Sequence, residues 1–496
     1  MSLQTALNFA FEFADRPIQV EVSQSLLSSD AGLLIFRQMD ERLRYTQQFA
    51  DALWGDSRVG PTHSWLDMVR QRVYGMLADY ADQNDHDVLR SDPIFKVIAG
   101  RDPSDPQQDL ASQPTLSRFE NAVSIADLNR LRELFVTLFI QSFSESLGGV
   151  APARITLDLD AWDDETHGQQ QLSLFHGHYD QHQYYPLSIN CAENDQLVMT
   201  SLRHGTAPAF LGADDDLRYI VERVRAMWPD IEIHVRADSA FGVPLMLDLC
   251  EELRLFYTFG YGLNPVLKRH TDELLQQLQQ QQQFAEASQP QREFVCWQYQ
   301  ARRWSAPRCT IVKVEVNSEG TNRRVILTNR PGGVILPGAT YDEYADRGES
   351  ENRHKELKTE LHGDRLSDHR FMANYFRLLM HALAYNLLVR QRQWIANPPA
   401  AAPEVSADSP PQLVPAAEAL PIEALPGLHR RRYFNARRRE DPLGEGHINT
   451  WRTRIIKVAA EVVVSTRRIV IRLSSSWPYL KLFLKVAQAN AALATT

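Results

Sequence analysis

Four polar residues recur along one short stretch in a pattern that suits phosphate chemistry. Arg347, Glu351 and Lys358 follow Tyr344 at offsets of 3, 7 and 14 residues. At about 100° per residue, a helix would carry all four within an arc of roughly 60°. An acid, two cations and a phenol along one line form a polar stripe. By spacing alone, such a stripe is more often a solvated face with salt bridges than a site.

Aspartates at the ends of two predicted strands are the second candidates for chemistry. Asp158 and Asp160 close an alternating run that begins at Arg154, so both project from one face of a strand. Asp238 directly follows a second strand-like run at 231–237. Carboxylates at the ends of two strands of one sheet can converge on divalent cations, which prefer oxygen ligands. A turn or cap role is the commoner use of such an aspartate, so this pattern alone does not decide.

Together these stretches resemble a known group of enzymes. The spacing Y-x2-R-x3-E-x6-K matches the signature of insertion-sequence transposases with a ribonuclease-H-like catalytic core, and locally the chain is similar to the insertion sequence 1380 family. The similarity covers most of the chain except a linker, and it includes a tail that begins at Thr450. The stretches that carry it are LASQPTLSRFEN (110–121), LDLDAWDDETHGQQQLSLFHGHYDQHQYYPL (157–187), RADSAFG (236–242) and RGESENRHKELK (347–358).

The resemblance implies an α/β fold and a DDE triad of Asp160, Asp238 and Glu351. Asp158 stays open as the alternative first member, because the residue two positions after Asp160 is Trp162 where the family usually has Thr. The triad would hold two Mg²⁺ ions, with Mn²⁺ as a substitute. The implied reaction is hydrolysis of the phosphodiester at a transposon end, after which the 3′-OH attacks target DNA. No covalent protein intermediate is required.

The expected DNA contacts lie within the stripe and beyond it. Tyr344, Arg347 and Lys358 would hold phosphates or a distorted base beside the scissile bond. Two tryptophans in a β-rich segment are candidates for stacking on an extruded base, although packing within that segment is favoured. Basic residues with interleaved aromatics near the C-terminus are candidates for tracking phosphates. The full set of further candidates is Trp297, Trp304, Arg118, Arg430, Arg431 and Arg452.

Four histidines have the number but not the spacing of a metal site. They are His167, His176, His178 and His182. Their spacing fits the faces of a β-hairpin, and Mg²⁺ prefers oxygen, so we expect no metal role for them.

Composition is that of an ordinary globular protein with an uneven charge. The 496 residues carry a formal net charge of −9, which is unusual for a chain that binds DNA. Phosphate contacts depend on local patches, and 429–472 holds twelve Lys or Arg against four Asp or Glu. Four scattered cysteines give no zinc knuckle and no disulfide framework. No apolar run reaches membrane-spanning length, and the N-terminus lacks a basic signal-peptide region, so we expect a cytoplasmic, nucleoid-associated protein.

Changes in pattern along the chain predict six segments. A helical N-terminal domain (1–150), for which the resemblance implies DNA binding, precedes the first part of a mixed sheet (151–263), for which it implies a ribonuclease-H-like core. A β-rich insertion (264–340) follows, then the rest of the core with the Glu351 helix (341–396). A Pro/Ala-rich linker (397–428) leads to a basic C-terminal region (429–496). A glutamine run at 276–283 is expected within a solvated helix.

Three functions remain to be distinguished. The favoured one is a cut-and-paste transposase that acts as a homodimer on double-stranded DNA, binding terminal inverted repeats and target DNA. The second is a catalytically inactive, DNA-binding descendant of such an enzyme, although the retained acids and stripe speak against it. The third is a glycosidase with paired carboxylates, for which the basic stripe is a poorer fit.

Overall fold

The computed structural model describes residues 7–9, 18–53, 58–146, 151–284, 290–396, 443 and 446–494. The strands are β1 Leu7–Phe9, β2 Ile18–Val20, β3 Leu26–Ser28, β4 Arg154–Ala161, β5 Asp164–Glu165, β6 Leu174–His176, β7 Gln181–Tyr184, β8 Leu187–Cys191, β9 Leu197–Ser201, β10 Glu232–Ala237, β11 Phe256–Tyr261, β12 Gln291–Tyr299, β13 Arg308–Asn317, β14 Gly320–Thr328, β15 Ala460–Ser465 and β16 Arg468–Leu473.

Helices surround these strands. They are α1 Leu33–Leu43, α2 Tyr45–Ala52, α3 Trp65–Leu77, α4 His86–Leu89, α5 Pro93–Ile98, α6 Gln113–Asn121, α7 Ile125–Ser146, α8 Ala213–Met227, α9 Pro244–Glu252, α10 Pro265–His270, α11 Asp272–Phe284, α12 Gly332–Ile335, α13 Pro337–Ala345, α14 Gly348–Lys355, α15 Phe371–Ala396, α16 Ile448–Trp451 and α17 Leu480–Ala494. Two π-helical turns, Glu356–Glu360 and Arg452–Ile456, continue α14 and α16, and a 3₁₀ turn spans Pro106–Gln108.

A mixed sheet of eight strands is the centre of this α/β protein. Its order is β12-β13-β14-β11-β10-β4-β8-β9. Within it β4, β10 and β11 are parallel, and the remaining neighbours pair antiparallel. The strands predicted as a β-rich insertion therefore continue the central sheet through the pairing of β14 with β11. Strand pairing of this kind joins residues far apart in sequence, so local composition does not reveal it.

Alternation along β4 and β10 gives the sheet two unlike faces. Leu157, Leu159 and Val235 are buried in an apolar core shared with α7, α8 and α9. With a period of two, Asp158 and Arg236 project from the opposite face. Charged side chains are thus collected on one side of the sheet, where α13 and α14 lie.

The N-terminal helices and the C-terminal segment share one core. Phe36 on α1 meets Trp451 on α16, with ring centroids 5.6 Å apart, and both side chains are fully buried. The hairpin β15–β16 adds β3 as a third strand. The described part of the predicted basic C-terminal region is therefore packed into the fold of the N-terminal region. None of the described helices has both the length and the apolar character needed to cross a membrane.

Candidate active site

The ends of β4 and β10 bring two candidate aspartates to the same edge of the sheet. The strands are parallel neighbours in which Arg236 pairs with Asp158 and Ala237 with Leu159. If the register is continued by one residue, Asp238 lies beside Asp160 on the neighbouring strand. Their backbones are then separated by one strand-to-strand spacing, about 4.8 Å. Both side chains then project from the polar face of the sheet.

Asp158 forms a buried ion pair with Arg236. Its two oxygens each accept a 2.7 Å hydrogen bond from the Arg236 guanidinium, which also donates to the backbone carbonyl of Glu343 at 2.7 Å. Asp158 and Arg236 are each 2% exposed. A bidentate pair on neighbouring strands neutralises the charge of Asp158 and fixes the sheet locally. Of the two aspartates, Asp160 is the one that faces the candidate site.

Asp160 has a hydrogen bond on each carboxylate oxygen. The backbone N–H of Ala161 donates to Oδ1 at 2.9 Å, and Nδ1 of His354 lies 2.9 Å from Oδ2. Burial raises the pKa of Asp160, but the hydrogen bond and charge of His354 and the charge of Arg347 outweigh burial, so the pKa lies below its ordinary value. The carboxyl is therefore an anion at neutral pH.

Arg347 lies between Asp160 and Glu351. Its Nη2 is 3.1 Å from Oε1 of Glu351, and its Nη1 is 3.8 Å from Oδ2 of Asp160. Glu351 is exposed at the start of α14, whereas Arg347 is mostly buried. One guanidinium thus lies against two of the three carboxylates.

The third carboxylate, Asp238, lies in the electrostatic field of the other charges. Burial raises the pKa of Asp238; the backbone N–H of Ala240 and the charge of Arg347 lower it, and the charges of Asp160 and Glu351 raise it further, leaving it above its ordinary value. Burial is the largest of these effects on the pKa of Asp238, and the crowding of negative charge by Asp160 and Glu351 adds to it. Such crowding is relieved by a bound cation.

Tyr344 enters the site through a close approach to a glycine. A Cβ at Gly260 on β11 would lie 2.8 Å from the Tyr344 hydroxyl and 3.0 Å from the backbone carbon of Asp238. Only a residue without a side chain leaves this space open. Gly260 therefore allows α13 and the Asp238 turn to meet over the sheet.

The predicted single helical stripe is divided in the structure. Tyr344 lies in α13, Arg347 in the turn between helices, Glu351 in α14 and Lys358 in the π-helical turn that follows. π-helical turns change the phase of a helix and are frequent at functional sites. The constant 100° step assumed from the sequence was wrong here, although Tyr344, Arg347 and Glu351 still meet around the ends of β4 and β10.

Lys358 lies beside Asp163 and Trp162. Its Nζ is 2.9 Å from Oδ1 of Asp163 and 5.9 Å from the centroid of the Trp162 ring. It lines a cleft of about 770 Å³ whose rim also includes His167 and Arg365. The cleft also carries the carboxylates of Asp82, Glu165 and Asp364, so Lys358 supplies a cation to a lining that is otherwise partly acidic.

The three acids are the kind of side chain that binds a divalent cation. Asp160, Asp238 and Glu351 offer hard oxygen ligands and already gather around the positive charge of Arg347. Their oxygens do not all lie within 4.8 Å of one another, so a shared cation requires Arg347 or the exposed Glu351 side chain to move. The residues therefore fit such an ion in type, and their placement fits it after that movement.

A tighter group of ligand atoms occurs elsewhere in the described residues. Atoms of Glu356, Glu360 and His447 lie within 4.8 Å of one another. Glu356 is fully buried, however, and both its oxygens accept from Arg392, with Oε1 also accepting from the backbone N–H of Ile448. Its charge is already compensated, so this group serves the packing of α15 and α16 against the π-helical turn.

The further candidates for DNA contact are placed unequally. Trp304 is 6% exposed and packs edge-on against Tyr261 and Tyr299, and Trp297 is half-buried against an apolar cluster of the sheet. Arg118 is exposed on α6 and bonds Thr115.

Arg452, in contrast, is turned inward. It is 5% exposed and donates to the backbone carbonyls of Leu77, Met76 and Glu360. We therefore leave it out of the proposed DNA contacts. Arg430 and Arg431 lie outside the described residues.

Sequence reasoning missed three residues that shape the site. His354 lies within the family-like stretch, three positions after Glu351, so helical spacing could have placed it beside the acids. Arg236 opens the stretch RADSAFG, but its pairing with Asp158 depends on the register of β4 and β10. Gly260 gave no signal, because its role comes from α13, about eighty residues later in the chain.

Comparison with known proteins places this chain in a family. A family model described as "Transposase DDE domain group 1" matches residues 12–406, which is most of the chain and includes all three candidate acids. A search of curated proteins found no match.

Proposed function

The chain belongs to the family of DDE transposase domain group 1, and on that premise we propose that it is a cut-and-paste DNA transposase. Family membership implies DNA binding and transposase chemistry. The single observation that supports the finer assignment is the gathering of Asp160, Asp238 and Glu351 around the Arg347 guanidinium. We take these three acids as the catalytic triad.

Two Mg²⁺ ions, replaceable by Mn²⁺, would be held by the triad and would supply an activated water and charge stabilisation at the scissile phosphate. The chain's own residues then bind and orient the DNA. Arg347 and Tyr344 lie against the acids, where they would hold the scissile phosphate, and Lys358 would hold a neighbouring one. Arg118, on the exposed surface of α6, is a candidate for a backbone contact outside this centre.

The finer family and fold assignments belong to the same proposal. The spacing Y-x2-R-x3-E-x6-K and the four quoted stretches support membership of the insertion sequence 1380 family. The order β9-β8-β4-β10-β11 supports a ribonuclease-H-like core. On one side of β4, the pairs β4–β8 and β8–β9 are antiparallel, and on the other side the pairs β4–β10 and β10–β11 are parallel. We propose that the enzyme acts in the nucleoid as a homodimer, one copy at each transposon end.

Cleavage of labelled DNA that carries the element's own ends, in Mg²⁺, tests this function. Wild-type protein should nick the end and release a 3′-OH, whereas Glu351→Gln should bind the same DNA without cutting it. Glu349→Gln is a matched control, because Glu349 is exposed on the same helix and its carboxylate accepts a hydrogen bond from Asn352. Equal cleavage by wild type and Glu351→Gln would remove Glu351 from the chemistry. Binding without cleavage by the wild type would favour the inactive, DNA-binding descendant.

A further inference from the structure

A buried histidine joins one of the candidate metal ligands to a third strand. His354 is 6% exposed and lies one helical turn after Glu351 on α14. Its Nδ1 is 2.9 Å from Oδ2 of Asp160, and its Nε2 is 3.0 Å from Oδ1 of Asn190 on β8. The ring therefore bridges the strand that carries Asp160, its neighbour β8 and the helix that carries Glu351.

The bridge has a fixed anchor on the sheet. Asn190 is 3% exposed and pairs with Asp158 across β4 and β8. Asp158 is in turn held by Arg236 through two 2.7 Å bonds. Because its partner Asn190 lies within the sheet, the His354 ring has little freedom to rotate, and the Asn190 side chain sets the orientation of its Nδ1.

The same contact restricts the Asp160 carboxylate. Ala161 N–H occupies one lone pair of Oδ1 and His354 one lone pair of Oδ2. Each carboxylate oxygen keeps a second lone pair. With both oxygens held, the group cannot rotate freely, and its remaining lone pairs have defined directions at the edge where Asp238 and Glu351 lie.

We infer that His354 is a positioning residue that orients Asp160 for a divalent cation and docks α14 so that Glu351 reaches the same ion. This inference rests on the proposed function, since it assumes a cation at the triad. Hydrogen-bond partners of metal ligands act in this way generally: they fix the orientation of the ligand, and their removal weakens metal binding about 10–100-fold.

Mn²⁺ binding to the full-length protein, measured by electron paramagnetic resonance without DNA, tests the inference apart from activity. His354→Ala should weaken Mn²⁺ affinity about 10–100-fold. His354→Asn should recover part of the loss, because its side-chain amide nitrogen takes the place of Nδ1 and can still donate to Asp160. Asn190→Ala should give a smaller loss, since the ring keeps its bond to Asp160 but loses its anchor. DNA-end binding in chelator should stay unchanged in all three.

His234→Gln is the matched control. His234 is also fully buried on β10 and bonds a neighbouring strand through Thr258 Oγ1 at 3.0 Å, but it does not contact the triad. Its Mn²⁺ affinity should equal that of the wild type. Wild-type affinity in His354→Ala would overturn the positioning role. If His354→Ala fails to fold, as judged by its thermal transition in chelator, unchanged affinity in His354→Gln would overturn it equally, because the Gln amide takes the place of Nε2 and reaches Asn190 instead of Asp160.

Failure of the proposed function gives a different result. Wild-type protein that binds no Mn²⁺, or whose Mn²⁺ binding survives Asp160→Asn unchanged, would remove the cation from the triad and with it the inference. Loss of binding in Asp160→Asn together with full binding in His354→Ala would overturn the inference alone.

Discussion

Two aspartates separated by a single residue have different roles because of what lies beside each. Asp158 contacts the Arg236 guanidinium on the neighbouring strand β10. Asp160 lies one position beyond the last pair between β4 and β10, and its carboxylate lies near His354 and Arg347. A charge paired inside the sheet contributes to folding, and a charge at its edge is available to a ligand. The sequence shows only that both side chains share a face.

The two positions should respond differently to loss of charge. Asp158→Asn leaves Arg236 buried and uncompensated, so the free energy of unfolding should fall by about 3–5 kcal/mol. Asp160→Asn should cost clearly less, because Asp160 is partly exposed, and it should abolish cleavage of DNA ends. Urea unfolding of both variants checks the first expectation, and the cleavage assay the second. A larger stability loss in Asp160→Asn than in Asp158→Asn would contradict these assignments.

At the scale of elements, a buried ion triad fixes the helices that support the sheet. Glu120 on α6 accepts from Arg72 on α3 at 2.7 Å and from Arg377 on α15 at 2.9 Å. Glu120 and Arg72 are fully buried, and Arg377 is 5% exposed. The ion pairs of Glu120 with the two arginines therefore connect the N-terminal helices to α15, the long helix that packs beside β9.

Stability should depend on the charge of Glu120 at low pH. Burial raises the pKa of Glu120, but the charges of Arg377 and Arg72 outweigh it and lower the pKa to about 2, from 4.5. A depressed folded-state pKa gives stability that is complete above pH 4.5 and is lost as the pH falls toward 2. The contribution is roughly 3 kcal/mol. Urea unfolding should show that the free energies of unfolding of wild type and Glu120→Gln differ by a constant amount above about pH 5. The difference should become smaller below pH 4.5. A difference independent of pH would contradict a charged Glu120.

Elements were predictable where their pattern is local. The alternating run that ends at Asp160 forms β4, and the strand-like run at 231–237 forms β10, each close to its expected bounds. The glutamine run lies within α11, as expected. The break at Arg347 and the π-helical turn at Lys358 were not predictable from local spacing, since the turn packs against α15 and α16, which come later in the chain. Pairing of β14 with β11 depends equally on distant residues.

At the scale of the whole molecule, the two ends of the described chain form one folded unit. The hairpin β15–β16 pairs with β3, and Arg452 bonds the end of α3. Basic composition near the C-terminus therefore does not by itself mark a DNA-binding tail. Some of its cations hold the termini together.

Arg452 should accordingly affect stability more than DNA binding. Arg452→Ala leaves the carbonyls of Leu77 and Met76 without their donor, so the free energy of unfolding should fall by about 2 kcal/mol or more. The salt dependence of DNA-end binding should keep the wild-type slope. Arg467→Ala, in the exposed turn between β15 and β16, should leave stability unchanged. A reduced salt slope with unchanged stability in Arg452→Ala would return this residue to the DNA interface.

The central claim is that Asp160, Asp238 and Glu351 form one cation site. Crystals of the wild-type protein grown in Mn²⁺, with diffraction recorded above and below the manganese absorption edge, test it most directly. The account predicts anomalous density between the three carboxylates, with Arg347 displaced from Glu351 or Asp160. Density at Glu356, Glu360 and His447 with none between the three acids would contradict it.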